Sequence, residues 1–375
     1  MTSPRRVLHV IDSLDLGGAQ TFLLELAKHH DRSRYLPEVA CMHGRGVYAE
    51  AFEKNGITVH SLSPEKFPPY YLPNFWRLMR SGGYDILHFH LFGANLCAKP
   101  LAIMAGHPAI IVHDQCNDAS REKNPLLLAA DSFWNRRSDR VIAVSESTRR
   151  YLLDREDQRD DLVMTIPNGI DTEVFSPASA GAREAARAAL GIPRDGLVIG
   201  GVGRLVAQKN FALFLEVVAR VIAGHPSVLF VIAGTGPQEE ALKEKVASLG
   251  ISHRVRFLWH VSDRLALYHA FDALLMTSAF EGTPMVLLEA MSCGLPVLAS
   301  AVDGIAEVCT NGHDAILLPP GDAAGFTGAL EGMLQDDGLR ATLGGNARNT
   351  ILERYEIRHL VRRIEGIYEE VLVAD

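Results

Sequence analysis

Cysteine is scarce and scattered in this chain: Cys41, Cys97, Cys116, Cys293 and Cys309 are odd in number and form no Cys-x-x-Cys pair. Neither a disulfide framework nor a thiolate zinc site is indicated, and buried free thiols are the expected state. Long hydrophobic runs are missing too. No apolar stretch reaches the length of about eighteen residues that spans a bilayer, and the first apolar run, Arg6 to Leu14, is too short and too closely followed by Asp15 for a signal peptide. A soluble, cytoplasmic protein is expected, for which the inner face of a membrane is at most a peripheral surface. Basic excess is likewise absent: the formal charge is −8, most of it from the second half. A polyanion needs clustered positive potential, so nucleic acid is excluded as a general partner, whereas local phosphate sites are not.

What remains is an ordinary globular composition, 47% hydrophobic and 22% charged, in 375 residues. Single cores stop growing near roughly 250 to 300 residues, so two domains are expected. Arg6 to Leu14 reads as a buried strand, Gly17-Gly18 as a tight turn, and Phe22, Leu23, Leu26 and Ala27 as one face of a helix. The rhythm continues with strands at Val39 to Met42, Ile57 to Leu62, Ile86 to Phe89, Ile110 to His113, Val141 to Val144 and Leu162 to Ile166. Strands buried on both faces and alternating with helices imply a parallel, doubly wound sheet. A polar, turn-rich stretch follows Pro167-Asn168-Gly169, and then the same rhythm resumes from Leu197 to Leu318. The expected division is 1–172, 173–355 and a terminal amphipathic helix at 356–375. The pattern carries no signal for oligomeric state.

Ligands of open parallel sheets bind beyond the carboxyl ends of the strands. After the first strand, Asp15 to Gln20 leads straight into a helix, where Gly17 and Gly18 would let backbone approach a phosphate or simply make the turn. In the second half, Arg204 and Lys209 follow the strand ending at Val202. A guanidinium fork and a compact ammonium so spaced suit a diphosphate, or else a solvated loop. Ala233-Gly234-Thr235-Gly236-Pro237 is a glycine-rich turn without the ending of a P-loop or the full dinucleotide fingerprint, which argues against an ATPase.

The most informative segment runs from Glu281 to Pro296. Pro284 suits a helix's first turn and Gly294 its end, predicting a helix over Met285 to Ser292. Glu281 then lies in the preceding loop, and Glu289 sits within the helix among Leu and Met, where its carboxylate needs hydroxyl or N–H partners. Carboxylates accept two hydrogen bonds from vicinal diols, so this pair suits a sugar and a ribose, or else two glutamates flanking a buried helix.

Together these elements resemble the family-4 retaining glycosyltransferases of the GT-B fold. The matching segments run in family order along nearly the whole chain: GGAQ at Gly17 to Gln20, HD at His113-Asp114, IPNGID at Ile166 to Asp171, GRL then Lys at Gly203 to Lys209, AGTGP at Ala233 to Pro237, and Glu-x7-Glu from Glu281 to Glu289 continuing as EAMSCGLPV. The resemblance implies an α/β architecture of two doubly wound Rossmann-like domains facing a cleft, with the C-terminal helix returning to the first. It implies transfer of a sugar from a UDP- or GDP-sugar to a hydroxyl of a glycan, lipid-linked glycan or small-molecule acceptor. Arg204 and Lys209 would hold the donor diphosphate, Glu281 the transferred sugar and Glu289 the ribose. Gly282, Thr283, Pro284, Met285 and Val286 would line the sugar pocket. Gly17 and Gly18 would approach the diphosphate from the first domain, and His113 would face the reaction centre or acceptor, with His90 and Asp114 on the acceptor side. No cofactor and no metal are expected, and the chain has no Asp-x-Asp motif.

Some residues depart from the family pattern. Trp259 stands where many relatives have Gly, Thr277 replaces a common Pro, and Asp303 replaces one of a frequent Gly pair; Trp259 is expected to stack on a ligand or in the core. His88 and His90 share one strand face at a spacing that also suits metals, but no carboxylate or Cys is near in sequence, which favours acceptor-side hydrogen bonding. The Phe67 to Pro73 loop, with Phe75, Trp76, Leu78 and Met79, offers peripheral membrane contact or packing of a helix on its own sheet. A sugar-nucleotide epimerase of the same architecture and a catalytically silent sugar-nucleotide or glycan-binding protein are the rival functions.

Overall fold

The computed structural model describes residues 3–63, 71–107, 109–115, 124–259, 261 and 263–373. Residues 67–70 of the aromatic loop, Cys116 and His260 lie outside the described residues. The chain divides into two compact units, Met1–Gly169 with Ile357–Asp375, and Ile170–Glu356.

The first unit is built on β1 (Arg5–Ile11), β2 (Tyr35–Cys41), β3 (Thr58–Ser61), β4 (Ile86–His90), β5 (Ile110–Asp114), β6 (Arg140–Ala143) and β7 (Val163–Thr165). They form one sheet in the order β3-β2-β1-β4-β5-β6-β7, parallel throughout. The strands read as continuous apolar runs because both faces are covered. Leu8 and Val10 pack with Leu87 and Phe89 toward Phe75 and Met79 of the helix Tyr71–Gly82. Ile11, Val39 and Cys41 pack on the opposite face toward Leu23 and Ala27 of the helix Gly18–His29. β2 begins at Tyr35, four residues before the run expected from Val39, and carries Pro37 beside Val7. A prolyl residue lowers the local strand signal, which is why its first half is not legible from composition.

The second unit repeats the design with β8 (Val198–Val202), β9 (Leu229–Ala233), β10 (Val255–Leu258), β11 (Ala273–Met276), β12 (Val297–Ser300) and β13 (Ile316–Leu318) in the order β10-β9-β8-β11-β12-β13. Phe214, Val217 and Val218 of the helix Phe211–Val221 pack on Phe230 and Ile232, and Phe326, Leu330 and Met333 join the same core. In each unit the strand order reverses beside the first strand, between β1 and β4 and between β8 and β11. Such switch points open a crevice at the carboxyl ends of the strands.

The terminal helix Ile357–Val373 packs on the helix Gly18–His29 of the first unit. Its buried stripe is Leu360, Val361, Ile364, Ile367, Tyr368 and Val371. Glu365 accepts hydrogen bonds from His30 Nδ1 at 3.0 Å and from the Asp31 N–H at 2.9 Å. No described helix is long and apolar enough to cross a membrane. Cys41, Cys97, Cys293 and Cys309 are free thiols. Burial pushes Cys41 up to about 11 and Cys293 to about 12, so neither is a ready thiolate at neutral pH.

Candidate active site

Four loops at the carboxyl ends of β8, β9, β11 and β12 meet in the second unit. Gly234, with φ +143°, lies so close to the loop after β8 that a Cβ there would collide with the Gly203 carbonyl. Only glycine permits that approach, and it lets Leu205 N–H reach Thr235 O at 2.9 Å and Gln238 N–H reach Leu205 O at 3.0 Å. Arg204 is held at the tip of this loop, exposed, and its side chain has no hydrogen bond or ion pair among the described residues. It is free to meet an anion.

Lys209 ends the short 3-10 turn Ala207–Lys209. Its ammonium lies 2.5 Å from Glu281 Oε1, and both side chains are largely shielded. The backbone aligns the two loops: Ala279 N–H donates to Gln208 O at 2.8 Å, and the Gln208 amide donates to Phe280 O at 3.0 Å. Thr277 Oγ1 donates to the carbonyls of Lys209 and Asn210 at 3.2 and 2.9 Å. Proline, the common family residue at that position, has no hydroxyl and could not make this tie.

Asp303 takes part as well. Its Oδ2 accepts from the Glu281 N–H at 3.2 Å, and Gly304 N–H donates to Glu281 O at 3.3 Å. A Cβ on Gly304 would strike the Gly282 carbonyl, so glycine is required for the two backbones to touch. Asp303 itself sits at φ +35°, a costly conformation for a residue with a side chain. Burial, and then the Glu281 carboxylate, hold its carboxyl above the usual range.

Beyond the loop the helix Met285–Ser292 forms over the expected span, with Pro284 as its N-cap and Gly282, Thr283, Pro284 and Met285 buried in front of Val286. Glu289 is 1% exposed. Its Oε2 accepts from the Tyr268 hydroxyl at 2.6 Å and its Oε1 from Arg264 at 2.5 Å. Burial, and then Glu289, push the phenol far above its ordinary range, which keeps it protonated as a donor. The sequence demanded hydroxyl or N–H partners for Glu289; Tyr268 and Arg264, on the helix Arg264–Ala270, are residues it did not single out. Trp259 stacks on Phe257 with centroids 4.7 Å apart, and the Lys243 ammonium lies 4.6 Å from its ring.

In the first unit the helix Gly18–His29 opens after Gly17, whose backbone is extended and which supplies no side-chain cap. The first-turn N–H groups therefore point to the carboxyl end of the sheet, a favourable environment for an anion. His113 and Asp114 end β5 and are both buried. Phe22 meets the His113 ring edge-on at 5.1 Å, and burial lowers this imidazole to about 3, so it is neutral at pH 7. His88 and His90, expected on the acceptor side, are buried as His113 and Asp114 are. β4 lies between β1 and β5, and the helices over its face leave His88 and His90 without solvent exposure. Their neighbour is His9 of β1, 3.0 Å from His90, a residue with no local sequence signal.

Comparison with known proteins agrees with this architecture. Residues 16–174 match the model of Glycosyltransferase Family 4, and residues 182–350 match that of Glycosyl transferases group 1. The chain is 28% identical over 316 residues to the UDP-Gal:alpha-D-GlcNAc-diphosphoundecaprenol alpha-1,3-galactosyltransferase of Escherichia coli, covering 80% of this chain and 79% of that one. It is 28% identical over 405 residues to the D-inositol 3-phosphate glycosyltransferase of Streptomyces bingchenggensis, covering 99% and 88%. The crystal structure of Anabaena Alr3699/HepE in complex with UDP and glucose superimposes with a TM-score of 0.87 at 23% identity, over 98% of this chain and 100% of that one. That likeness concerns the fold, two parallel-sheet α/β domains of the GT-B type.

Proposed function

Because the chain belongs to the family 4, group 1 glycosyltransferases, we propose that it moves a hexose from a UDP-sugar to a hydroxyl of a glycan or lipid-linked glycan, with retention at the anomeric carbon. The observation that carries this reading is the convergence of Arg204, Lys209 and Glu281 on one loop cluster at the sheet's switch point. Two cations and a carboxylate so placed match a donor's diphosphate and the sugar beside it. Uridine is favoured over guanosine because the E. coli relative is named for UDP-Gal and HepE was crystallised with UDP. The diphospholipid-linked sugar in the first name favours a lipid-linked acceptor, reached at the cytoplasmic face of a membrane by peripheral contact.

In this reading the leaving nucleoside diphosphate builds negative charge on its phosphate and positive charge at the anomeric carbon. Arg204 and Lys209 stabilise the first, and preorganised cations of this kind supply the largest single term in many transferases. They also make a divalent ion at the diphosphate unnecessary. Glu281 holds the transferred sugar, and Glu289 receives the ribose diol. The acceptor hydroxyl attacks from the side the diphosphate leaves, and a phosphate oxygen takes its proton, so retention needs no covalent enzyme ester.

The test is a panel of UDP- and GDP-hexoses incubated with the protein, following nucleoside diphosphate release with and without GlcNAc-diphospholipid acceptors. Acceptor-stimulated UDP release with a glycosylated lipid product is expected. Conversion of the donor without acceptor would replace transfer by epimerisation, and binding without turnover would replace it by recognition alone.

A further inference from the structure

Three imidazoles meet on the sheet face beneath the helices Gly18–His29 and Ile357–Val373. His9 of β1 and His88 of β4 are register partners, and His90 lies two residues further along the same face of β4. All three are fully buried. His9 Nδ1 is 3.0 Å from His90 Nε2, and the His88 and His90 rings stack with centroids 4.3 Å apart. One ring nitrogen of each of the three lies within 4.8 Å of the others.

Hydrogen bonding leaves much of this cluster unsatisfied. His88 Nδ1 meets the Tyr368 hydroxyl at 2.7 Å, and the His9–His90 contact occupies one nitrogen of each. His9 Nε2, His88 Nε2 and His90 Nδ1 have no partner among the described residues. A buried polar atom left unpaired carries a desolvation penalty that hydrocarbon in its place would not. On the same face of β1, Val7 and Ile11 fill it with hydrocarbon at no such cost.

We propose that His9, His88 and His90 bind a divalent transition-metal ion of the zinc class as a structural centre of the first unit. Neutral imidazole nitrogens are favoured ligands for such ions. Zinc–nitrogen bonds of about 2.0–2.1 Å place two ligands of a tetrahedral ion about 3.3 Å apart; His9 Nδ1 and His90 Nε2 stand at 3.0 Å, and the three imidazoles would fill three of its four positions. Tyr368 on His88 Nδ1 acts as the outer partner that fixes the tautomer and leaves the Nε2 lone pair free. Countercharge stands one ring away: His30 stacks on His9 with centroids 5.6 Å apart and bonds to the Glu365 carboxylate. Enclosure by two helices means that the ion enters as the unit folds. Its ligands belong to the first unit, where His113 stacks on His88 and His90 with centroids 5.4 and 5.6 Å away.

The sequence alone gives the His88–His90 pair no third ligand. His9 stands 81 residues before His90, and only strand pairing joins them.

The experiment uses the untagged full-length chain, unfolded in guanidinium with chelator and refolded with or without zinc. Elemental analysis should find about one zinc per chain after refolding in zinc, and the refolded holoprotein should melt at higher temperature than the metal-free one. His88→Gln and His90→Gln should each lose the ion, whereas His253→Gln, at an exposed histidine of the second unit, should keep it. If both ligand variants fail to fold, cobalt(II) refolded into the unaltered chain decides the matter through the visible absorption of a tetrahedral nitrogen site. A natively folded chain without stoichiometric zinc, zinc content unchanged in both folded ligand variants, or cobalt without those bands overturns the proposal. None of these readouts requires turnover, so they stand apart from the proposed transferase activity.

Discussion

Lys209 and Glu281 form an ion pair of 2.5 Å, with side chains only 15% and 5% exposed. The same ammonium that suits a donor diphosphate is therefore neutralised by the carboxylate that suits the transferred sugar. Truncating one partner strands the other charge in a shielded place. Arg204, exposed and without a side-chain partner among the described residues, has no such debt to the fold.

The two cations should accordingly separate in experiment. Arg204→Ala should lower kcat/KM for the donor by more than about tenfold, or about 1.4 kcal/mol in the barrier, with Tm unchanged. Lys209→Ala should lower kcat/KM comparably and also lower Tm, because Glu281 loses its counterion. Steady-state kinetics and thermal melts of both variants make the comparison. Unaltered donor turnover in folded Arg204→Ala would remove it from the diphosphate site.

Asp303 should behave as a positioning residue. Asp303→Asn keeps an oxygen for the Glu281 N–H and should retain most of kcat, whereas Asp303→Ala loses the anchor and should lower kcat with little change in UDP affinity. Its titration has a definite sign. A carboxyl held above its usual range binds its proton more tightly folded than unfolded. Its contribution to stability is therefore present at acid pH and lost as pH rises through the folded value. Replacing it by Asn removes that loss, so the Tm of Asp303→Asn minus that of the unaltered chain should be more positive at neutral pH than in mild acid. A pH-independent difference would sink this assignment.

These contacts mark what the sequence can and cannot express. The helix Met285–Ser292 is legible because Pro284 and Gly294 punctuate an apolar run, and the parallel sheets are legible because their strands are continuous apolar runs. Pro37 hides the first half of β2. The Lys209–Glu281 pair, the Asp303 anchor and the Tyr268 hydroxyl on Glu289 join residues from different loops. Periodicity reports which face of an element is buried, not which distant element covers it. His90 shows the same limit: its strand is legible as an apolar run, but its surroundings depend on β1 and the terminal helix.

Divalent ions should not accelerate donor turnover. If Arg204 and Lys209 carry the charge of the leaving diphosphate, rates measured without added metal and with millimolar magnesium or manganese should coincide. A strict dependence on either ion would show that the cations do not suffice.

Glu281 and Glu289 should read different parts of one donor. Glu281 sits in the loop before the helix Met285–Ser292, whereas Glu289 lies within that helix, held by Tyr268 and Arg264. If Glu289 receives the ribose diol, Glu289→Ala should weaken UDP and UDP-sugar alike, by about 1.5–3 kcal/mol when charged hydrogen bonds are lost. It should also lower Tm, because Tyr268 and Arg264 lose a carboxylate that is almost fully buried. Tyr268→Phe separates these effects: it removes one donor to Glu289 while leaving the carboxylate for the ribose, so Tm should fall and UDP affinity should change little. Glu281→Ala should not weaken UDP, since Lys209 loses a competing carboxylate, and should depress kcat, since the sugar must be held as positive charge develops at its anomeric carbon. Calorimetric titration with UDP, alongside kcat for the best donor, distinguishes the cases. Equal losses of UDP affinity in Glu281→Ala and Glu289→Ala would end this division of roles, because removing Glu281 takes a carboxylate away from Lys209 and leaves that ammonium to the diphosphate.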